Sequence, residues 1–428
     1  MGSTAASVLK DGKVTDAEWQ KKLQPQLQKA AVESPEVRAF LDVFADGKIT
    51  FEKNAALGAG DLLRAHGYEV PGRDSGITFD VRVVVDGNAA APDQAFETLS
   101  TLTRTSNSKI AIGVVDGGFS AHPALMDNLS PNGKTIKAAY GAALGKEFGK
   151  RSADAKREGA IHGTHVAGIA ARGTPRIQAA LMAVPLETAA EVTGAATHTA
   201  VRPPPEKQPL VLALDHAAKN GAQVINVSIE AYVTPEEVAA FKKVMDKHPN
   251  TLFVFGAGND QYQLGSATEG DKSLAEQLRC PNMVVVGASY PDGGRWGKSN
   301  YGKDFVQLAA RGHYISSADG DGDGFRIESG TSMAAPNITN LAAKCRMLHP
   351  ALSPAQLVTL MSITSDENHS WKDAVASGGT VNNDRAMTAA ATLALLASGK
   401  QLEAALDTLG VSATERPRIK TAVDALSR

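Results

Sequence analysis

The run Ile110-Ala111-Ile112-Gly113-Val114-Val115 contains no polar side chain, and it constrains the fold more than any other stretch. A strand with one wet face alternates apolar and polar residues, whereas one that is apolar at every position is covered on both faces. The run ends in Asp116 and Gly117-Gly118, so it delivers a carboxylate at the C-terminal end of a buried strand. Leu252-Phe253-Val254-Phe255 and residues 282–288 read as further buried strands. A chain of 428 residues, 43% hydrophobic and 21% charged, can cover such strands and holds one large domain plus additional segments.

Two other strings carry chemistry. After Gly330-Thr331-Ser332-Met333-Ala334-Ala335-Pro336, the apolar residues Ile338, Leu341, Ala342, Cys345 and Leu348 recur at helical spacing, which predicts a buried helix with Ser332 in its first turn. Pro336 is tolerated only near a helix start, where the first N–H groups have no internal partner. Those free donors and the positive helix end suit an oxygen that becomes negative during acyl transfer, so Ser332 reads as a nucleophile. Taken alone, the string reads first as an ordinary helix start capped by Ser or Thr. His162-Gly163-Thr164-His165-Val166-Ala167-Gly168 is expected to open a small-residue helix with an imidazole in its first turn. Asp, His and Ser are the orienting carboxylate, base and nucleophile of a serine hydrolase.

In content and order these three strings resemble those of the subtilisin-like serine proteases, over residues 105–390. The resemblance implies an α/β fold, three layers α/β/α on a mostly parallel sheet, and endopeptidase activity on polypeptide substrates. It implies that Asp116 orients, His162 acts as base and Ser332 attacks. Gly256-Ala257-Gly258-Asn259 matches the segment whose asparagine donates to the oxyanion together with the serine N–H. In the family, a Ser-Leu-Gly-Gly-like segment pairs with substrate backbone and walls the primary specificity pocket; here it is Ser228-Ile229-Glu230-Ala231. The resemblance thus places Ser228, Ile229, Glu230, Gly256 and Gly258 at the substrate. Losing the glycine pair reduces backbone freedom, and Glu230 either puts a carboxylate beside the pocket, favouring a basic residue near the scissile bond, or points to solvent. The same fold and triad can also pass the acyl group to an amine, as a peptide ligase or macrocyclase, and an inactive protease-like binding module is the remaining alternative.

The chain divides by pattern into 1–104, 105–398 and 399–428. The first part is read as a mainly helical N-terminal domain, with helices at 16–32, 35–45 and 61–67 and a strand at 76–86, that docks on the catalytic domain and restrains it, either as a propeptide that is cleaved off or as an inhibitory domain that stays. Asp11-Gly12-Lys13-Val14-Thr15 is echoed by Asp46-Gly47-Lys48-Ile49-Thr50. Each resembles the centre of a calcium-binding EF-hand loop, but Ser7, Leu9, Phe44 and Lys53 spoil the ligand set, which favours metal-free helix–loop–helix units. Residues 103–108 form a polar linker and candidate cleavage region, and the last segment a helical extension on the surface. Residues 187–209, with Pro203-Pro204-Pro205, read as a solvated insertion stiffened by polyproline.

Asp319, Asp321 and Asp323 alternate with glycines, and Glu328 follows; such density of like charge suits a calcium ion as structural cofactor. His122 is read as a loop-packing residue and His165 as a side chain holding its helix against the sheet. Cys280 and Cys345 are the only cysteines and read as small buried hydrophobes. A net charge of -2 gives no reason to expect nucleic acid or an anionic membrane as partner. Met1-Gly2-Ser3-Thr4 opens no signal peptide, whereas the family is mostly secreted, so export with a leader removed, leaderless export and a cytoplasmic location all stay open.

Overall fold

The computed structural model describes residues 93–129, 153–184, 204–231, 233–266, 273–322 and 324–427, with the strand backbones at 13–14, 49–58 and 78–85. In chain order the elements are β1 (Lys13–Val14), β2 (Ile49–Gly58), β3 (Thr78–Val85), α1 (Gln94–Leu102), β4 (Ile110–Asp116), α2 (Ala153–Ala171), β5 (Ile177–Ala183), α3 (Pro209–Lys219) and β6 (Val224–Val227). They continue with α4 (Pro235–Lys247), β7 (Leu252–Gly256), β8 (Met283–Ser289), β9 (Leu308–Arg311), β10 (Ile315–Ala318), β11 (Phe325–Glu328) and α5 (Thr331–Leu348). The chain ends with α6 (Pro354–Ile363), β12 (Asp366–Glu367), β13 (Gly379–Thr380), α7 (Asn383–Ala397), α8 (Leu402–Thr408) and α9 (Arg416–Leu426).

Among the described residues the main sheet has eight strands in the order β12-β13-β9-β8-β7-β6-β4-β5. Every neighbouring pair is parallel except β12 with β13. The apolar runs are covered on both faces as their composition demands. Ile112, Val114, Val254 and Val286 share one core with α2 and α5, while Val115, Ile225, Phe253 and Val285 share the other with α3 and α4. Each such side chain contributes about 1.5–3 kcal/mol by leaving water. The result is the expected three-layer α/β/α arrangement.

Strand β4 lies between β5 and β6, so the direction in which strands are added reverses there. Open α/β sheets bind ligands in the crevice beyond the carboxyl ends of the strands at such a point. Asp116 ends β4, Ser228 follows β6 and Asn259 follows β7, so all three lie at that crevice.

The structure departs from the sequence reading in several places. Helix α2 begins at Ala153, so His162 stands in its middle and not in its first turn. The segment Ala153-Asp154-Ala155-Lys156-Arg157-Glu158 consists mostly of good helix formers and extends the helix backwards. Helix α4 has no counterpart among the expected elements, although Thr234-Pro235-Glu236-Glu237 forms a capping box with proline at the first position. Helix α1, capped by Asp93, precedes the boundary drawn at 104, yet Phe96 and Leu99 belong to the core that holds α5. Asp93 also pairs with the buried Lys344 of α5 at 2.6 Å. The C-terminal extension is helical, and Leu406, Ile419 and Val423 join that same core.

The helices expected at 16–32, 35–45 and 61–67 lie outside the described residues. Within the N-terminal part, β1 pairs antiparallel with β2, Val14 facing Phe51, and β2 pairs with β3. Strand β3 realises the strand expected at 76–86, whereas β2 is an addition to the expected elements. Strand β3 runs beside β11.

Candidate active site

Asp116 is fully buried, and its Oδ1 lies 2.8 Å from Nδ1 of His162 and accepts the Gly117 N–H at 2.7 Å. Glycine at 163 permits this approach, because a Cβ there would collide with the Gly118 carbonyl oxygen and meet Asp116 Cβ at 3.0 Å. Among the described residues Oδ2 of Asp116 is buried without a hydrogen bond, so His162 and the Gly117 N–H share the other oxygen. Burial disfavours the imidazolium of His162, but the Asp116 charge and hydrogen bond outweigh it and Glu328 adds to them. The ring is therefore held above the ordinary histidine range.

Ser332 occupies the second position of α5, where its own N–H has no acceptor inside the helix. Pro336 stands four residues later and has no N–H to give to the Ser332 carbonyl. Ser228 Oγ supplies that missing bond at 2.9 Å. Ser228 Oγ in turn accepts from Asn226 Nδ2 at 2.9 Å, and Asn226 Oδ1 accepts from Thr339 at 3.1 Å. A buried polar chain thus ties the end of β6 to the first turn of α5. Ser332 Oγ donates to the Ser228 carbonyl at 3.4 Å, and its hydrogen bond to His162 is not formed in this structure. Such bonds commonly tighten only when substrate is bound.

Asn259 is exposed, and its Oδ1 accepts both the Thr331 N–H at 2.9 Å and the Thr331 hydroxyl at 3.2 Å. A backbone N–H can only donate, so these contacts fix the oxygen side of the amide and leave Nδ2 as the outward donor. The Thr331 hydroxyl also accepts the Gly258 N–H at 3.1 Å.

Ile229, Glu230 and Ala231, with Gly256, Ser273 and Leu274, line a shallow, solvent-open recess. Gly256 borders it and lies against Thr331. Glu230 Oε1 stands over Gly258, 2.8 Å from where a Cβ would be, and Gly258 has φ of 99°, a backbone state that only glycine adopts freely.

A model of the subtilase family matches residues 107–391. The chain belongs to the subtilase family. This subtilase is 29% identical to halolysin of Haloferax mediterranei over 280 residues, covering 63% of this chain and 48% of halolysin. It is 27% identical to subtilisin amylosacchariticus of Bacillus subtilis subsp. amylosacchariticus over 262 residues, covering 59% of each. The extracellular basic protease of Dichelobacter nodosus is 30% identical over 183 residues, 40% of this chain and 28% of that one. The chain thus matches between about a quarter and three-fifths of these relatives' own lengths. In fold it is similar to a structure of the subtilase cytotoxin SubAB, with a TM-score of 0.51, 17% identity and coverage of 72% of this chain and 98% of that one. A similar match joins it to the epidermin leader peptide processing serine protease of Staphylococcus aureus, with a TM-score of 0.51, 18% identity and coverage of 71% and 82%. At these identities the likeness concerns the fold alone.

Structural calcium is common among subtilases, but in this subtilase the residues read as its ligands face cations. Asp321 pairs with Arg157 of α2, while Arg326 lies 3.9 Å from Asp319 and 3.5 Å from Glu328. Among the described residues no group of three acidic, histidine or cysteine side chains is arranged to hold a metal, and Asp323 lies outside them. Among the described residues, Asp319, Asp321 and Glu328 are not arranged as a calcium cage. Arginines to which no local pattern in the sequence points stand beside them.

His122 is buried as a loop residue, accepting the Ala124 N–H and reaching the Gly324 carbonyl at 2.8 Å. His165 Nε2 lies 2.9 Å from the carbonyls of both Ile315 and Arg326, and burial depresses its pKa to about 4. It fastens α2 to the β10–β11 hairpin and not to the main sheet. The residues that sequence reasoning missed are Asn226, Thr331 and Thr339. The missing N–H of Pro336 is the one available signal that some side chain must serve the Ser332 carbonyl.

Proposed function

We propose that this subtilase is a serine endopeptidase. What supports the reading most is the Asp116–His162 pair facing the crevice where Ser332 heads α5 and the Asn259 amide is locked with its N–H groups outward. His162 Nε2 takes the proton of Ser332 Oγ, and the alkoxide attacks a peptide carbonyl carbon. Asn259 Nδ2 and the Ser332 N–H hold the resulting oxyanion. His162 then returns the proton to the departing amine, and a water molecule activated by the same base hydrolyses the acyl-enzyme. Ser228, Ile229 and Glu230 on one side and Gly256 and Gly258 on the other receive the substrate. No observation favours acyl transfer to an amine, and a pure binding module would have no use for the ion-paired His162.

The N-terminal part is proposed to restrain this site. Strand β3 runs beside β11, which ends at Glu328, four residues before Ser332. The loop at 319–328 is proposed to work without calcium. Among the described residues no helix is long and apolar enough to cross a membrane. Hydrolysis of casein by the full chain, compared with Ser332→Ala and His162→Ala, tests the central reading. Activity that persists in either variant would contradict it.

A further inference from the structure

The recess at 229–231 is continuous with the nucleophile. Ser228, directly before Ile229, receives the Ser332 hydroxyl on its carbonyl, and Gly256 on the opposite wall lies against Thr331. The recess thus begins one residue from the backbone carbonyl that holds the nucleophile's hydroxyl. Ile229, Ala231 and Leu274 give it apolar walls in part, and among the described residues Glu230 is its one ionisable side chain. Among the described residues the Glu230 carboxylate has no hydrogen bond and no ion pair, although its Oε1 is pressed over Gly258. Among the described residues the charged groups that act on it, Asp260 and Glu276, are both acids. A carboxylate with like charges around it and no cation is a costly arrangement unless a cation arrives with the ligand.

We propose that this recess takes the lysine or arginine side chain of a substrate, its methylene stem against Ile229, Ala231 and Leu274 and its cation on Glu230. Long basic side chains suit such a place because they combine an apolar stem with a charged end, and an ionised pair makes the stronger hydrogen bonds. A leucine or phenylalanine in the same recess would cover the carboxylate and leave it unpaired. Burial, with Asp260 and Glu276 adding to it, pushes the Glu230 carboxyl up to about 7, which accords with a site that awaits positive charge. The cleavage part of the proposal rests on the endopeptidase reading, whereas the cation-binding part does not.

The test has two readouts on the full chain. Benzamidine, a cation with no scissile bond, is titrated into wild type and Glu230→Gln at pH 8, and binding is expected to weaken about tenfold in the variant. Equal binding, or none to the wild type, would overturn the proposal. In parallel, coumarin-releasing peptides with Arg or Leu at the cleaved position are compared by kcat/KM. The Arg-to-Leu ratio is expected to fall about tenfold in Glu230→Gln and to invert toward Asp or Glu substrates in Glu230→Lys. Release that depends on Ser332 with an unchanged ratio sinks the specificity claim alone. Glu230-dependent benzamidine binding without any Ser332-dependent release sinks the endopeptidase reading and leaves the cation site standing.

Discussion

Asn259 gets its direction from a neighbour that cannot change its mind. Because the Thr331 N–H can only donate, the amide oxygen must face it, and the NH2 group is left for the cleft. Asn259→Ala should lower kcat about a hundred- to thousandfold with little change in KM, the size known for the corresponding asparagine of a subtilisin. A fall in kcat/KM carried by KM alone would contradict the oxyanion role. His162 supplies a second prediction. The base must be neutral to accept the Ser332 proton, and Asp116 and Glu328 hold its pKa up. The rate should therefore rise with pH through a midpoint above about 6.5, the ordinary histidine value. Glu328→Gln should move that midpoint down, and a midpoint that ignores Glu328 would refute the coupling.

At the scale of elements, the most informative join is between β6 and α5. Pro336 deprives the Ser332 carbonyl of its helical donor, and Ser228 replaces it. Ser228→Ala should destabilise the fold by about 1–3 kcal/mol, the usual cost of leaving a buried acceptor unpaired, measurable by denaturant unfolding. A neutral result would mean that the bond does not secure the nucleophile's turn. Helix α1 carries the next expectation. Phe96 is fully buried, and Asp93 neutralises a buried lysine of α5, so the catalytic core includes α1. Thr105 also accepts a bond from Arg176, which ties the linker expected at 103–108 to the body. If the N-terminal part is removed, N-terminal sequencing should place the cut before Asp93. A stable active form starting within 103–108 would show that α1 is dispensable. Phe96→Ala should cost about 3–5 kcal/mol.

For the whole molecule, the apolar runs make the doubly covered sheet legible, and the strings ending at Asp116, opening at His162 and surrounding Ser332 make the candidate site legible. Those signals are local in sequence. What the sequence hides is non-local or cumulative. The partner of Asp321 is Arg157, 164 positions away, so an acidic loop that resembles a metal cage is an ion-pair seam. Helix α2 starts nine residues before His162 because many small preferences add up, and no single start signal marks it. Glu230 is visible as a departure from the family's pattern, but its acidic neighbours among the described residues are facts of the folded chain. Asp321→Asn should accordingly leave the effect of EDTA on the melting temperature the same as in the wild type, and a stabilisation by calcium that disappears in this variant would restore a metal to the loop.

The most direct test of the central claim is the intact mass of the purified chain after incubation with a fluorophosphonate, beside Ser332→Ala. The account predicts one covalent adduct on the wild type and none on the variant. An adduct on both proteins, or on neither once residues before Asp93 have been removed, would contradict a triad of Asp116, His162 and Ser332.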